Sequence, residues 1–282
     1  GRNVPVLIDQ EGGTVRRLRP PLVRDYPAAS VIGKRYAAAP DEAKEAAYAC
    51  GRLIAADLMS VGIDVDCAPV LDMPPEPDTG FIANRAFGSD PDQVRVLAQA
   101  MADGLKAGGV LPVIKHMPGH GRGLADSHIG LPVVKEPLAL LAERDFRPFR
   151  EITGILMAMT CHVLFEAVDA ENPASTSAKV VDQVMRGSIG FDGLIISDDI
   201  SMNALAGDIG ERARTVAAAG IDIILHCNGK IDEMRAVADA APALSGAALI
   251  RGERALAGRP SADDADLAAL SRRLDALLQA GS

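Results

Sequence analysis

The sequence predicts an α/β fold of the barrel type, and three observations carry that prediction. Short apolar runs alternate with longer stretches of helical periodicity along the chain. The runs are nearly continuous in hydrophobic residues, as strands are when both faces of a parallel sheet are covered. Nearly every run ends in a polar or charged cluster on its C-terminal side: Asp9-Gln10-Glu11, Lys115-His116, His162, Asp198-Asp199 and His226. Chemistry contributed by the C-terminal ends of many strands is the pattern of a (β/α) barrel. An open doubly wound sheet would gather it at one switch point.

In chain order, the expected strands are Val4–Asp9, Ile63–Ala68, Leu111–His116, Leu156–His162, Leu194–Asp198 and Ile221–His226. Between them, Asp41–Met59 reads as a helix, with an acid at its start and Gly62 just beyond its end. Further helices are expected over Pro91–Ala107, Leu138–Glu151, Ala178–Arg186 and Gly210–Ala219. The Ala/Leu/Arg-rich tail from Ile231 to Gln279 reads as two or three more, packed on the outside. Pro74–Gly80, rich in Pro, Gly and Asp, is expected to be a surface loop at the barrel mouth. No internal repeat or long linker divides the chain, so residues 1–282 are taken as one barrel domain. Six strands fall two short of a (β/α)8 TIM-type barrel.

Composition narrows the partners. The 282 residues carry a net charge of −9 and no Lys/Arg block, which argues against nucleic acid or an anionic membrane as the main partner. No apolar run reaches the length of roughly 18 residues that a bilayer span needs. Of four cysteines (Cys50, Cys67, Cys161 and Cys227), three lie in apolar runs and are expected to be buried hydrophobes. Unpaired thiols without a CxxC pair fit a reducing, cytoplasmic location. The default assembly is a monomer.

The chemistry is concentrated in one loop. Three of the five histidines fall within residues 116–128, in Lys115-His116-Met117-Pro118-Gly119-His120-Gly121 and Asp126-Ser127-His128. A Gly/Pro-rich loop after a buried strand, loaded with His and Asp, suits a catalytic loop. Asp126 and His128 are two apart and would point the same way in an extended segment, so the carboxylate would fix the tautomer of the imidazole and raise its basicity. Ser127 lacks the strained Gly-x-Ser-x-Gly setting of a serine nucleophile. His116, His120, Asp126 and His128 are also possible metal ligands, although their spacing follows no helical pattern. At the other cluster, Asp198 ends a buried strand, where a carboxylate can attack an anomeric carbon or bind a metal. Asp199 beside it reads equally well as a helix cap.

Five motifs, in order and spread over essentially the whole chain, resemble glycoside hydrolase family 3. They are Ile8-Asp-Gln-Glu-Gly-Gly13, Ala68-Pro-Val-Leu-Asp72, Asn84-Arg-Ala-Phe-Gly88, Lys115-His-Met-Pro-Gly-His-Gly121 with Asp126-Ser-His128, and Ser197-Asp-Asp-Ile-Ser-Met202. The nearest resemblance is to single-domain β-N-acetylglucosaminidases of bacterial peptidoglycan recycling. It implies an exo-acting, retaining enzyme without a cofactor or metal, releasing terminal GlcNAc from small sugar substrates such as 1,6-anhydro-muropeptides. Asp198 would be the nucleophile and His128 the acid/base, oriented by Asp126. Asp9, Arg85, Lys115 and His116 would bind the sugar hydroxyls. The resemblance also implies a strand–helix unit ahead of the Asp9 strand. Because the sequence runs from Gly1 almost directly into that strand, the unit is expected to be missing here.

The residues fit this chemistry in their own right. A retaining glycosidase needs a nucleophile and a proton shuttle about 5–5.5 Å apart. Histidine, with an ordinary pKa of about 6.5, shuttles protons near neutrality without tuning. A neutral shuttle also repels an anionic acceptor less than a carboxylate does, which leaves phosphorolysis open. With no Trp, three Tyr and six Phe, the chain has few stacking platforms for a long polysaccharide, which favours a small exo-acting pocket. The sequence departs from the family at Thr14, where Arg is common, and at Met117, where Phe is usual. The rival readings are a family 3 β-glucosidase, which commonly takes its proton from a carboxylic acid in an additional domain, a metal-dependent hydrolase built on the His cluster, and a non-catalytic sugar-binding barrel.

Overall fold

The computed structural model describes residues 4–77, 79–80, 82–123 and 130–279. All six expected strands are present within these, four of them shortened and two, β5 and β9, one residue longer at the C-terminal end: β1 (Leu7–Ile8), β4 (Val65–Asp66), β5 (Leu111–Met117), β7 (Met157–Thr160), β9 (Leu194–Asp199) and β10 (Ile223–Leu225). They form one curled parallel sheet in the order β1-β4-β5-β7-β9-β10. The order follows the chain and never reverses. A doubly wound sheet must reverse at its switch point, so this is the singly wound sheet of a (β/α) barrel. The described residues supply six strands of that sheet.

Strand alternation sorts the apolar side chains into two layers. Val65, Leu111, Val113, Met157, Met159, Leu194 and Ile196 face the barrel interior. Their neighbours Ile114, Ala158 and Ile195 face outward, into a larger core built with the helices. Both faces are therefore buried, which is why the strands read as unbroken hydrophobic runs.

Helices α1 (Ala29–Tyr36), α2 (Pro40–Ser60) and α3 (Pro91–Ala107) cover the first half of the sheet. Pro40 opens α2 with Asp41 and Glu42 in its first turn, and the Asp90 side chain accepts from Gln93 N–H to cap α3. The two long helices approach closely through glycines. A Cβ on Gly51 would lie 2.2 Å from the Met101 carbonyl, and one on Gly104 would lie 2.2 Å from that of Tyr48. The expected helix over Leu138–Glu151 is two pieces, α4 (Leu138–Glu143) and α5 (Arg147–Glu151). Pro148 has no N–H for a continuous helix, and Asp145 turns inward to hold Arg122 with both carboxylate oxygens at 2.9 Å from Nε. The stretch expected to be helical over Ala178–Arg186 winds as a π-helix over Val180–Ser188. Helix α6 (Ile209–Ala218) begins with a capping box formed by Asp208 and Glu211. The tail forms α7 (Ile231–Ala240), α8 (Gly246–Ala257) and α9 (Leu267–Gln279).

Helix α1 and two small strand pairs lie outside the expectation. An antiparallel hairpin joins β2 (Gln10–Gly12) to β3 (Val15–Arg16) directly after β1. It turns through Gly12 and Gly13, both at positive φ. A second small parallel pair, β6 (Val133–Val134) with β8 (Leu164–Phe165), sits beside the loops that follow β5 and β7. No helix among the described residues is long and apolar enough to cross a membrane.

Candidate active site

At the C-terminal ends of the strands lies a cavity of about 260 Å³. It gathers side chains from across the sheet: Asp9 after β1, Arg85 from the turn at Ala83–Arg85, Lys115 and His116 from β5, and Asp198 from β9. Five of the seven residues singled out from the sequence thus share one pocket. The other two, Asp126 and His128, lie outside the described residues.

Lys115 is the centre of the charge network. It is almost fully buried, with Nζ 2.9 Å from Asp9 Oδ1 and 2.6 Å from Glu11 Oε1. Burial alone would lower its pKa, but Glu11 and Asp9 outweigh burial and raise it, so the ammonium stays charged. Glu11 also takes a two-pronged bond from Arg85, Nε to Oε2 at 2.9 Å and Nη2 to Oε1 at 2.8 Å. Burial would raise the Glu11 carboxyl, yet Lys115 and Arg85 together hold it below its usual range. Asp9 is held down to about 2, since Lys115 and Arg17 overcome its own desolvation. Asp66, fully buried behind them, accepts from Gln10 N–H. There burial wins, and its carboxyl is pushed well above the carboxylate range.

Asp72 organises the other side of the pocket. It is wholly buried and accepts from His116 Nδ1 at 2.5 Å, from His116 N–H at 3.2 Å and from His120 N–H at 2.6 Å. Burial would raise its pKa, but His116 and His120 bring it to about 2. A carboxylate can only accept, so His116 donates from Nδ1 and turns Nε2 toward Arg85 Nη2, 3.4 Å away. The ring is therefore fixed in orientation and tautomer from behind.

Asp198 stands at the tip of β9, with Oδ1 accepting from Asp199 N–H at 2.8 Å. Asp199, which the sequence offered as a helix cap, closes a turn instead. Its carboxylate takes Ser201 N–H, the Ser201 hydroxyl and Cys227 N–H, tying β9 to the loop after β10. The next helix, α6, is capped by Asp208.

The histidines divide by role. His116 and His120 line the cavity, with ring centroids 5.9 Å apart. His162 is buried behind it, and His226 bonds Glu233 at 3.0 Å. Among the described residues no group of three His, Cys, Asp or Glu side chains converges as a metal site would. Cys50, Cys67 and Cys161 are buried, whereas Cys227 is exposed and reaches the cavity wall. Glu11, Asp72 and the cavity-lining Arg17 were not among the sequence candidates. Glu11 and Asp72 do sit inside motifs quoted for other residues, which was the available signal.

A model of the glycosyl hydrolase family 3 N-terminal domain matches residues 2–250. The chain belongs to glycosyl hydrolase family 3. A relative from Methylobacillus flagellatus, named β-hexosaminidase, is 39% identical over 243 residues, 83% of this chain and 69% of its own length. Among solved structures, NagZ from Neisseria gonorrhoeae in complex with N-trifluoroacetyl-D-glucosamine superposes with a TM-score of 0.84 at 32% identity, over 99% of this chain and 82% of that one. A family 3 β-N-acetylglucosaminidase from Paenibacillus gives a TM-score of 0.79 at 32% identity. It covers 99% of this chain, which spans about half (51%) of the Paenibacillus protein. The two departures from the family pattern have structural settings. Thr14 Oγ1 accepts from Asn84 Nδ2 at 3.2 Å, linking the β2–β3 hairpin to the turn that carries Arg85. Met117 is fully buried in the outer core and acts in packing.

Proposed function

We propose that this family 3 chain is a retaining, exo-acting β-N-acetylglucosaminidase in which Asp198 is the nucleophile and His128, oriented by Asp126, is the acid/base. The coarser part rests on the family assignment and on β-hexosaminidase relatives of substantial identity: the chain is a glycoside hydrolase of the β-N-acetylhexosaminidase class. The observation that carries the finer part is the cavity itself, where Asp198 shares about 260 Å³ with Asp9, Arg85, Lys115 and His116. That volume lies just below the usual span of small-molecule sites, roughly 300–1,000 Å³, and suits one terminal sugar. A bound N-trifluoroacetyl-glucosamine in the Neisseria structure supports the same ligand class.

In the first step, Asp198 attacks the anomeric carbon with the carboxylate oxygen that Asp199 N–H does not hold. His128 gives its proton to the departing glycosidic oxygen. In the second step, neutral His128 takes a proton from water, the hydroxide attacks the same carbon, and Asp198 leaves as a carboxylate. Lys115 and Arg85 are fixed donors and Asp9 a fixed acceptor for the sugar hydroxyls. Because Glu11 already orients Lys115 and Arg85, and Asp72 orients His116, little ordering is left to substrate binding. We place the enzyme in the cytoplasm as a monomer acting on 1,6-anhydro-muropeptides, a reading supported by the free thiols and by the resemblance to recycling enzymes.

The test is nitrophenol release from matched β-GlcNAc and β-glucose substrates with EDTA present, with and without phosphate. Strong preference for GlcNAc, unaffected by EDTA, is the expected result. Preference for glucose would replace this reading with the β-glucosidase, and loss of activity in EDTA would replace it with the metal-dependent one. Formation of a sugar 1-phosphate would convert hydrolysis to phosphorolysis. For His128→Ala, turnover should fall far more with poor leaving groups than with nitrophenol, which needs little proton assistance. Equal losses would remove His128 from the acid role.

A further inference from the structure

His162 follows β7 by two residues, is completely buried and does not line the cavity, yet both of its ring nitrogens are engaged. Nε2 lies 3.0 Å from the carbonyl oxygen of Asp199, and Nδ1 lies 2.6 Å from Ser175 Oγ. A carbonyl oxygen only accepts, so Nε2 carries the proton. In a neutral ring Nδ1 is then the acceptor, and the Ser175 hydroxyl donates to it. Burial favours this neutral form by lowering the pKa of the imidazole. The tautomer is therefore set by its two partners together.

The carbonyl that His162 grips belongs to the residue immediately after the candidate nucleophile. Asp199 is held at every polar group it has. Its N–H donates to Asp198 Oδ1, its carbonyl accepts from His162, and its carboxylate accepts from Ser201 and Cys227. The chain of contacts runs from Ser175 through His162 and Asp199 to the Asp198 carboxylate, bridging the neighbouring strands β7 and β9.

We propose that His162, fixed by Ser175, is a positioning residue for the Asp198 carboxylate: it locks the backbone whose N–H aims that carboxylate at the substrate. The proposal rests on the reading of Asp198 as nucleophile. A fully engaged, neutral, buried ring is poorly placed to transfer protons, but well placed to hold a peptide unit still. Small errors in nucleophile placement are costly, since a misplacement of about 1 Å can cost on the order of 100-fold in rate.

Three variants test it in the full chain. His162→Leu removes the donor and should lower kcat on nitrophenyl β-GlcNAc by about 100-fold, with KM within about threefold. His162→Gln retains an amide N–H that can reach the Asp199 carbonyl and should recover kcat to within about tenfold of wild type. Ser175→Ala keeps the ring but frees its tautomer, and should cost on the order of tenfold in kcat. The second readout is the rate at which a 5-fluoro N-acetylglucosaminyl fluoride labels the enzyme, followed by mass spectrometry of the labelled peptide.

Slower labelling of Asp198 in His162→Leu and Ser175→Ala, with rescue in His162→Gln, is the expected result. Labelling of Asp198 at the wild-type rate in all three would overturn the positioning role while leaving the nucleophile assignment intact. Label on another residue of the wild-type protein would overturn the nucleophile assignment itself. If His162→Leu does not fold, Ser175→Ala decides: wild-type kcat together with a wild-type rate of Asp198 labelling in that variant counts against the proposal.

Discussion

The two ends of the sheet are made from the same strands and have opposite chemistry. β5 starts with Leu111 at the floor and reaches Lys115 and His116 at the mouth, and β9 runs from Leu194 to Asp198. The floor contains an apolar cavity of about 570 Å³, lined by Leu7, Leu111, Met157, Leu194, Ile196 and Ile223 of the strands and by Gly252, Ala255 and Leu256 of α8. The mouth contains about 260 Å³ lined largely by charged and polar side chains. Parallel strands put all their C-terminal ends on one side, so charged residues at successive strand ends must meet there. The floor is held by dispersion and burial, which weaken in proportion to the contacts removed. The mouth is held by buried ion pairs, which become costly once one partner is removed. Mutations at the floor should therefore register in stability, and mutations at the mouth in activity, with stability lost as well wherever an ion-pair partner is removed.

The largest expected effect tests the mouth alone. Asp198→Ala should lower kcat by at least about 10⁴-fold, as loss of a nucleophile typically does. Its thermal midpoint should match or exceed that of wild type, because a nearly buried carboxylate is removed. Parallel turnover and melting curves would break the comparison if stability fell along with activity.

Lys115→Met is the case where the two ends should stop being separable. It leaves the buried Glu11 with Arg85 alone and the part-exposed Asp9 with Arg17 alone, which should cost on the order of 3 kcal/mol of stability, the low end for breaking a buried pair, as well as activity. Urea unfolding measures the first and nitrophenyl turnover the second. A variant with wild-type stability would show that the network is more hydrated than its burial implies.

Leu111→Ala probes the floor. It should cost about 2–3 kcal/mol, near the low end for Leu→Ala because the side chain already borders open space. Turnover at 25 °C should be unchanged. A drop in kcat without unfolding would mean that floor packing sets the geometry of the mouth.

The smallest effect is graded and concerns pH. His120 and His162 have lowered pKa values in the folded chain, because burial disfavours the imidazolium. In the unfolded chain they titrate near 6.5. As pH falls below about 6.5 the unfolded state binds more protons, so stability declines. Asp9 and Asp72, held at about 2 in the fold against an ordinary value of 3.8, act lower. Their contribution is complete above about pH 4 and disappears as pH falls through 2. Urea midpoints measured from pH 8 to pH 3 should fall in two stages, shallow and then steep. A flat profile between pH 7 and pH 5 would indicate that the protons the histidines gain on unfolding are offset by the one that Asp66, its carboxyl raised by burial in the fold, releases.

The expected elements show where local sequence suffices. Helix α3 begins and ends at the residues expected, because Asp90-Pro91 and Gly108 mark its ends chemically. The split between α4 and α5 was missed: helical periodicity continues through Arg144–Phe146, but the break depends on Asp145 meeting Arg122, 23 residues away. The β2–β3 hairpin was similarly hidden, since its strands of two and three residues are too short to show a period.

By itself, the sequence determined the order of the six strands, the face on which the polar clusters would lie and the family to which the motifs belong. These follow from side-chain period and from motifs that are contiguous in the chain. Only the tertiary structure decided how the site is held. Lys115 meets Asp9 across 106 positions, Arg85 meets Glu11 across 74, and His116 meets Asp72 across 44. It also showed His162 gripping Asp199. A charged residue in a sequence carries no sign of its partner. Which acid neutralises which base is set by the curl of the sheet, where burial makes pairing obligatory and distance makes it specific.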